Sequence, residues 1–198
     1  MNIAVFASHG GSDLQAIIDG CKSGKINAKV CVAISNNNDS RALERAKAEN
    51  IAQYYLSLQV INSQEQLDQK ILEILDMHHT DMIILAGYLK KLGADILQKY
   101  ENRVFNIHPA LLPKYGGKGM YGINVHRAVI EAGEKISGVT VHRVTEEYDS
   151  GEIVAQTQIA IHPKDTPETL AARILECEHT FLVDVINEIE KGTIKLGK

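Results

Sequence analysis

The chain has 198 residues, of which 44% are hydrophobic and 23% charged, as in an ordinary soluble globular domain. Its formal net charge is −4 and its sequence pI about 6.1, and the absence of any basic block argues against a nucleic-acid-binding surface. The N-terminal apolar run is too short for a signal peptide or a membrane span. Length and composition predict a single domain, residues 1–198.

The cysteines indicate a reducing compartment. Cys21, Cys31 and Cys177 are odd in number and include no C-x-x-C pair. We therefore expect neither a disulfide framework nor a thiolate metal site. Together with the lack of a targeting segment, this predicts a cytoplasmic protein.

The first strand and the first helix enclose a glycine turn. Residues 2–7 form a continuous apolar run typical of a buried parallel strand, and residues 14–20 carry apolar side chains at helical spacing. In the turn Ser8-His-Gly-Gly-Ser-Asp13 we expect Ser12 to cap the helix. Free backbone N–H groups and the helix dipole suit such a turn to an anion, although it can also be a plain connection. It matches neither the dinucleotide fingerprint nor the P-loop.

The rest of the chain continues the alternation of strands and helices. Asn124 and Thr166 are the expected caps of the last two helices, and Gly133 the expected stop of the first of them. The order predicts an α/β fold, with an open, doubly wound, mainly parallel sheet, helices on both faces and an antiparallel hairpin at one edge. The further strands are predicted at residues 28–35, 51–56, 81–86, 103–107, 138–144 and 152–161, and the helices at 41–49, 63–78, 93–100, 124–133 and 166–191.

An amide and an imidazole mark the carboxyl end of the strand at 103–107. Asn106 and His108 are two residues apart on an extended segment, so their side chains point to the same side. Ligands of such sheets bind at the carboxyl ends of the strands, where the Gly10-Gly11 turn and residues 87–92 also fall. Side by side, an amide and an imidazole can polarise a carbonyl oxygen and manage a proton, which favours acyl-type transfer. The alternative is a capped strand end with a surface histidine.

Three segments resemble the folate-dependent formyltransferases, and the similarity extends over essentially the whole chain. It implies transfer of a formyl group from 10-formyltetrahydrofolate to the primary amine of glycinamide ribonucleotide in de novo purine biosynthesis. It also implies direct attack by the amine through a tetrahedral intermediate, with no metal. The segments are Val104-Phe-Asn-Ile-His-Pro-Ala-Leu-Leu-Pro-Lys-Tyr115, Gly138-Val-Thr-Val-His142 and Asp149-Ser-Gly-Glu-Ile153.

The resemblance also implies roles for individual residues. Asn106, His108 and Asp149 would be the catalytic trio, with the Asn106 N–H₂ and a protonated His108 donating to the oxyanion. Asp149 would orient His108 or pass a proton through water. The substrate would be bound by Gly11, Ser12 and Asp13 at its phosphate and by Glu178 at its glycinamide end. The folate pocket would include Asn106 together with Gln64, Leu89, Lys90, Lys91, Leu92, Thr145, Glu146, Glu147 and Tyr148.

Three positions depart from the pattern of the family. Its members usually carry Asn where this chain has Asp13, which adds a negative charge beside the expected phosphate and removes an amide donor. A basic residue is common near Gln64, and His is common at Asn124. None of these positions belongs to the trio, so they concern affinity and exact substrate and leave the reaction class unchanged.

Several related functions remain as alternatives. Methionyl-tRNA formyltransferases share the trio but carry an added RNA-binding domain, and formyltetrahydrofolate hydrolases share the core but usually carry an N-terminal regulatory domain. A non-catalytic folate- or nucleotide-binding relative is the remaining alternative, for which Asp13 is the only argument. Both a monomer and a homodimer are compatible with the sequence.

Overall fold

The computed structural model describes residues 1–196, and its strands and helices follow the predicted order. Each element lies within a few residues of its predicted bounds. The elements are β1 Asn2–Phe6, α1 Ser12–Lys22, β2 Lys29–Ser35, α2 Arg41–Ala48, β3 Ala52–Tyr55, α3 Gln64–Met77, β4 Met82–Leu85, α4 Ala94–Lys99, β5 Val104–His108, α5 Ile123–Glu131, β6 Ile136–Arg143, β7 Ile153–Ala160 and α6 Pro167–Glu190.

The strands form one sheet in the order β3-β2-β1-β4-β5-β6-β7. The first five are parallel, and β6 and β7 continue the sheet as an antiparallel hairpin at one edge. The chain moves outward from β1 in one direction through β2 and β3, then returns to β4 on the other side. This reversal opens a crevice at the carboxyl ends of β1 and β4. The predicted fold class is confirmed.

Helices cover both faces of the sheet, which explains the uninterrupted apolar runs of the inner strands. In β1, Ile3 and Val5 pack in a cluster with residues of α1, α2, α5 and α6. Ala4 and Phe6 face the opposite side, where they pack with residues of α3 and α4. Because side chains alternate along a strand, the residues of β1 from Ile3 to Phe6 are apolar on both faces, and only Asn2 at its start is polar.

Two predicted helix caps are wrong. The N-cap of α1 is Gly11, and Ser12 is already the first helical residue. Gly11 has a φ of 66°, in the left-handed region, which bends the chain into the helix without a side-chain cap. The N-cap of α5 is likewise a glycine, Gly122, so Asn124 lies inside that helix.

The predictions for the ends of α5 and α6 are confirmed. Gly133, with a φ of 69°, directly follows the C-cap residue of α5. Thr166 accepts a hydrogen bond from the Thr169 backbone N–H, and the Thr169 hydroxyl accepts one from the Thr166 N–H, with Pro167 next to the cap. Although α6 has 24 residues, no helix within residues 1–196 combines the length and apolarity needed to cross a membrane.

Candidate active site

A cavity of about 590 Å³ opens at the carboxyl ends of the central strands, a size typical of small-molecule sites. It lies where the reversal of strand order predicts a ligand site. Its walls come from residues 87–92 after β4, 106–109 of β5 and the following loop, 117–123 before α5 and 144–149 between β6 and β7, with Asp13, Leu85, His126, His142, Ala171, Leu175 and Glu178.

Strand β5 directs two polar side chains into this cavity. Asn106 and His108 alternate with Phe105 and Ile107, which are buried in the core on the opposite face. The antiparallel partner β6 pairs Asn106 with His142 and His108 with Thr140. The predicted juxtaposition of Asn106 and His108 therefore follows from strand geometry, and β6 adds a second imidazole beside it.

The hairpin turn brings Asp149 to these two residues. Asp149 has a φ of 53°, a left-handed conformation that Asp tolerates better than most residues. Its Oδ2 accepts a hydrogen bond from the Gly117 N–H at 2.8 Å. A Cβ on Gly116 would lie 2.5 Å from a Leu112 methyl group and 3.1 Å from the Asp149 Cβ. The glycines at 116 and 117 thus let the loop before α5 close against this carboxylate.

The surroundings of His108 favour its neutral form. Its Nε2 lies 2.8 Å from the Tyr115 carbonyl oxygen, and because a carbonyl only accepts, Nε2 carries the hydrogen. The other ring nitrogen, Nδ1, lies 3.7 Å from Asp149 Oδ2. Burial lowers the pKa of His108 below its ordinary value, against the opposing effects of Asp149 and the Tyr115 carbonyl. Nδ1 is therefore the atom that can gain a proton beside Asp149.

Asp149 is held as a carboxylate by its neighbours. Burial alone would raise its pKa, but His142, His108 and the Gly117 N–H together lower the pKa below the ordinary value. His142 Nε2 lies 3.5 Å from Asp149 Oδ1. The site thus pairs an ionised carboxyl, Asp149, with a neutral imidazole, His108. The imidazole can gain a proton, and the carboxylate can stabilise the resulting charge.

The amide of Asn106 is held by two neighbouring side chains. Its Nδ2 lies 3.0 Å from His142 Nε2 and 3.4 Å from Asp149 Oδ1. The opposite nitrogen of His142, Nδ1, lies 2.8 Å from the Arg143 carbonyl and so donates to it. In the neutral ring Nε2 therefore accepts from the amide, whereas in the charged ring Nε2 would donate to Asp149 Oδ1 instead. Both hydrogens of the Asn106 N–H₂ therefore have partners, and the bond to Asp149 is the weaker by distance.

Two buried hydroxyls fix the loops around the cavity. The Thr140 Oγ1 donates to the Ala110 carbonyl at 2.6 Å and accepts from the Leu112 N–H at 3.1 Å, which ties the loop after β5 to β6. The Ser8 Oγ accepts from the Leu89 N–H at 2.8 Å, joining the segments that follow β1 and β4. The walls are thus held by specific hydrogen bonds from β6 and from the segment that follows β1.

The predicted substrate and folate residues lie partly on the cavity wall. Asp13 and Glu178 line it, as do all the predicted folate residues from Leu89 to Leu92 and from Thr145 to Tyr148. Gly11 and Ser12 form the turn into α1 but are not lining residues. Gln64 does not line the cavity either, and its side chain donates to Asp68 Oδ1 at 2.7 Å.

Two histidines of the site, His142 and His126, are not among the residues predicted from the sequence. His142 is 2% exposed and touches Asn106 and Asp149, and His126 is 4% exposed with a buried Nδ1 that has no partner within residues 1–196. The alternating pattern of residues 138–144 put His142 on one face of a strand but did not say what lay opposite. Burial lowers the pKa of His126 to about 4. Among the described residues no group of His, Cys, Asp and Glu is arranged to hold a metal ion.

Comparison with known proteins identifies the class. The family model described as formyl transferase matches residues 1–186, so the chain belongs to the formyl transferase family and is an enzyme of that class. It is similar to phosphoribosylglycinamide formyltransferase of Escherichia coli (strain K12), with 37% identity over 99% of this chain and 90% of that protein. The chloroplastic phosphoribosylglycinamide formyltransferase of Arabidopsis thaliana is 40% identical over 98% of this chain, which spans 66% of that protein.

Solved structures agree with this assignment. The crystal structure of glycinamide ribonucleotide transformylase 1 from Symbiobacterium toebii matches with a TM-score of 0.89 and 35% identity. The match covers 97% of this chain and 88% of that one. The α/β sheet described above is therefore the fold of this family.

Proposed function

We propose that the protein transfers the formyl group of 10-formyltetrahydrofolate to the primary amine of glycinamide ribonucleotide. The observation that carries this proposal is the meeting of Asn106, His108 and Asp149 at one wall of the cavity, with Asp149 Oδ2 3.7 Å from His108 Nδ1. The names of the relatives supply the substrates, and the geometry supplies groups suited to acyl transfer.

The reaction needs a donor for the oxyanion and a route for one proton. The amine nitrogen attacks the formyl carbon, the C–N bond forms, and the carbonyl electron pair moves onto oxygen. When the intermediate collapses, the bond to folate N10 breaks, the former amine loses a proton and N10 gains one. His108, protonated at Nδ1, would donate to the oxyanion, and Asp149 would stabilise that charge and relay the proton through water.

Asn106 would join as a second donor. Its N–H₂ is shared between His142 and Asp149. Release of the longer bond, 3.4 Å to Asp149, would free one hydrogen for the oxyanion while His142 still fixed the amide plane. Such a donor is typically worth ~3–4 kcal/mol of transition-state stabilisation.

The two ligands would approach from different segments. Folate would lie against residues 89–92 and 145–148, and the ribonucleotide would place its phosphate at the Gly11–Asp13 turn and its glycinamide end near Glu178. We also propose a cytoplasmic location, which the three free cysteines support, and a single domain acting as a monomer or a homodimer.

The test is formyl transfer by the purified protein. We expect it to convert glycinamide ribonucleotide and 10-formyltetrahydrofolate to formylated ribonucleotide and tetrahydrofolate. His108→Ala and Asp149→Asn should each lower kcat by at least ~100-fold with an unchanged circular dichroism spectrum. His162→Ala, at an exposed histidine outside the cavity, should match wild type.

The remaining alternatives predict other results in the same assay. Formate release without any amine substrate would indicate a hydrolase, and ligand binding without turnover would indicate a binding protein. A wild-type rate in either cavity variant would remove that residue from the proposed trio.

A further inference from the structure

A second cluster of ionisable groups lies outside the trio, at the first turn of α1. Asp13 is 8% exposed and lines the cavity together with Glu178, which is also 8% exposed. Asp13 Oδ1 and His179 Nε2 face each other at 3.8 Å. Both atoms are buried, and neither has a hydrogen-bond partner within residues 1–196. A buried carboxylate oxygen without a donor is costly, which favours the protonated form of Asp13.

The neighbours of Asp13 do not neutralise it fully. From α6 it faces the acid Glu178 and the imidazole of His179. From α2, the Arg45 guanidinium is occupied by the Gly10 carbonyl at 2.9 Å and by Gln15 Oε1 at 3.2 Å. Two carboxyls in one desolvated region cannot both ionise without a penalty, so the pair retains protons to higher pH than isolated acids do.

The adjoining backbone is suited to an anion. Helix α1 has 11 residues, and its N-cap Gly11 offers no side chain to the free N–H groups of the first turn. A phosphate bound there would meet the carboxyl group of Asp13. Repulsion between the two anions would oppose binding unless Asp13 changed its charge.

We propose that Asp13 binds the substrate phosphate as a carboxylic acid, so that each phosphate group enters together with one proton from solvent. The proton adds to the Asp13 carboxylate, and the resulting O–H donates to a phosphate oxygen. This rests on the proposed placement of the phosphate at the Gly11–Asp13 turn. Burial raises the pKa of Asp13 to about 6, with His179 lowering it in part, so that the proton is taken up readily near neutral pH.

The test compares Asp13→Asn with wild type between pH 6 and pH 8. The probes are glycinamide ribonucleotide and ribose 5-phosphate, which has the phosphate but no amine. The ratio of wild-type Kd to Asp13→Asn Kd should rise about 50-fold over this range, because the binding-competent fraction of Asp13 falls from about one half to about one hundredth. The titration of the phosphate itself cancels in the ratio. Asp19→Asn, an exposed acid of the same helix, should follow wild type.

Calorimetry in buffers of different ionisation enthalpy gives a second readout. At pH 8, wild type should take up about one proton more per ribose 5-phosphate bound than Asp13→Asn does. A flat Kd ratio, or equal proton uptake by the two proteins, would overturn the proposal even if formyl transfer is observed. Proton-coupled binding of ribose 5-phosphate without any formyl transfer would support it and reject the proposed reaction instead.

Discussion

At the scale of single residues, His142 organises the site as much as the predicted trio does. It accepts from the Asn106 amide through Nε2 and donates to the Arg143 carbonyl through Nδ1. When Nε2 carries a proton, it faces Asp149 Oδ1 at 3.5 Å and lowers the pKa of that carboxyl. One buried imidazole thus sets the orientation of the amide and the charge of the carboxyl, which makes it a positioning residue.

We expect His142→Ala to lower kcat by ~10–100-fold with a smaller effect on KM. The pKa of Asp149 should rise, because the variant removes a contact that lowers it, so the acid limb of the pH–kcat profile should move to higher pH. His142→Gln, whose amide oxygen can still accept from Asn106, should recover part of the rate. A lower rate with an unmoved acid limb and no recovery in His142→Gln would mean that His142 serves only to fill space.

At the scale of elements, the turn between β1 and α1 depends on its second glycine. Gly11 has a left-handed φ, and a Cβ there would lie 2.6 Å from the Cα and the Cβ of Ala42 in α2. At the preceding Gly10, a Cβ would meet no atom within 4 Å. The two adjacent glycines therefore offer a matched comparison.

We expect Gly11→Ala to reduce the free energy of unfolding by ~2–4 kcal/mol, since it combines an unfavourable φ with a backbone clash. Gly10→Ala should cost less than ~1 kcal/mol. Urea unfolding followed by circular dichroism measures both variants. Equal losses would show that the close approach of α1 to α2 does not constrain this turn.

The elements also show what the sequence can and cannot predict. Strand β1 was recognisable because both its faces are buried, and α6 because Thr166 and Pro167 form a local start signal. The predicted cap of α1 is wrong because the sequence does not show which of the two adjacent glycines, Gly10 or Gly11, adopts the positive φ that begins the helix. Local patterns thus suffice for the elements, whereas the conformation of a glycine turn depends on the helix packed against it.

At the scale of the whole molecule, the parts of the site that were missed are the non-local ones. The pairing of Asn106 with His142 depends on the register between β5 and β6. The approach of Asp13 to Glu178 depends on the packing of α1 against α6. The resemblance to a family motif indicates Asp149 without any knowledge of the fold. No motif indicates that Asp13 and Glu178, from opposite ends of the chain, are buried together.

The burial of Asp13 should make the stability of the fold depend on pH. The Asp13 pKa rises from 3.8 to about 6 on folding, so the folded state binds more protons than the unfolded state between these values. The free energy of unfolding therefore falls as pH rises through this window and stays lower above it. Asp13→Asn removes this penalty, which amounts to ~2–3 kcal/mol at pH 7.5.

Thermal unfolding should then show a Tm for Asp13→Asn that is ~4–10 °C above wild type at pH 7.5. At pH 4, well below the pKa of Asp13 in the folded protein, the Tm of the variant should be close to that of wild type. Asp19→Asn should change the Tm little at either pH, since that acid is exposed. A Tm gain of equal size at both pH values would exclude ionisation of Asp13 as the cause. A gain confined to the higher pH would mean that this buried acid lowers the stability of the unliganded fold, the condition under which proton uptake with a bound phosphate becomes favourable.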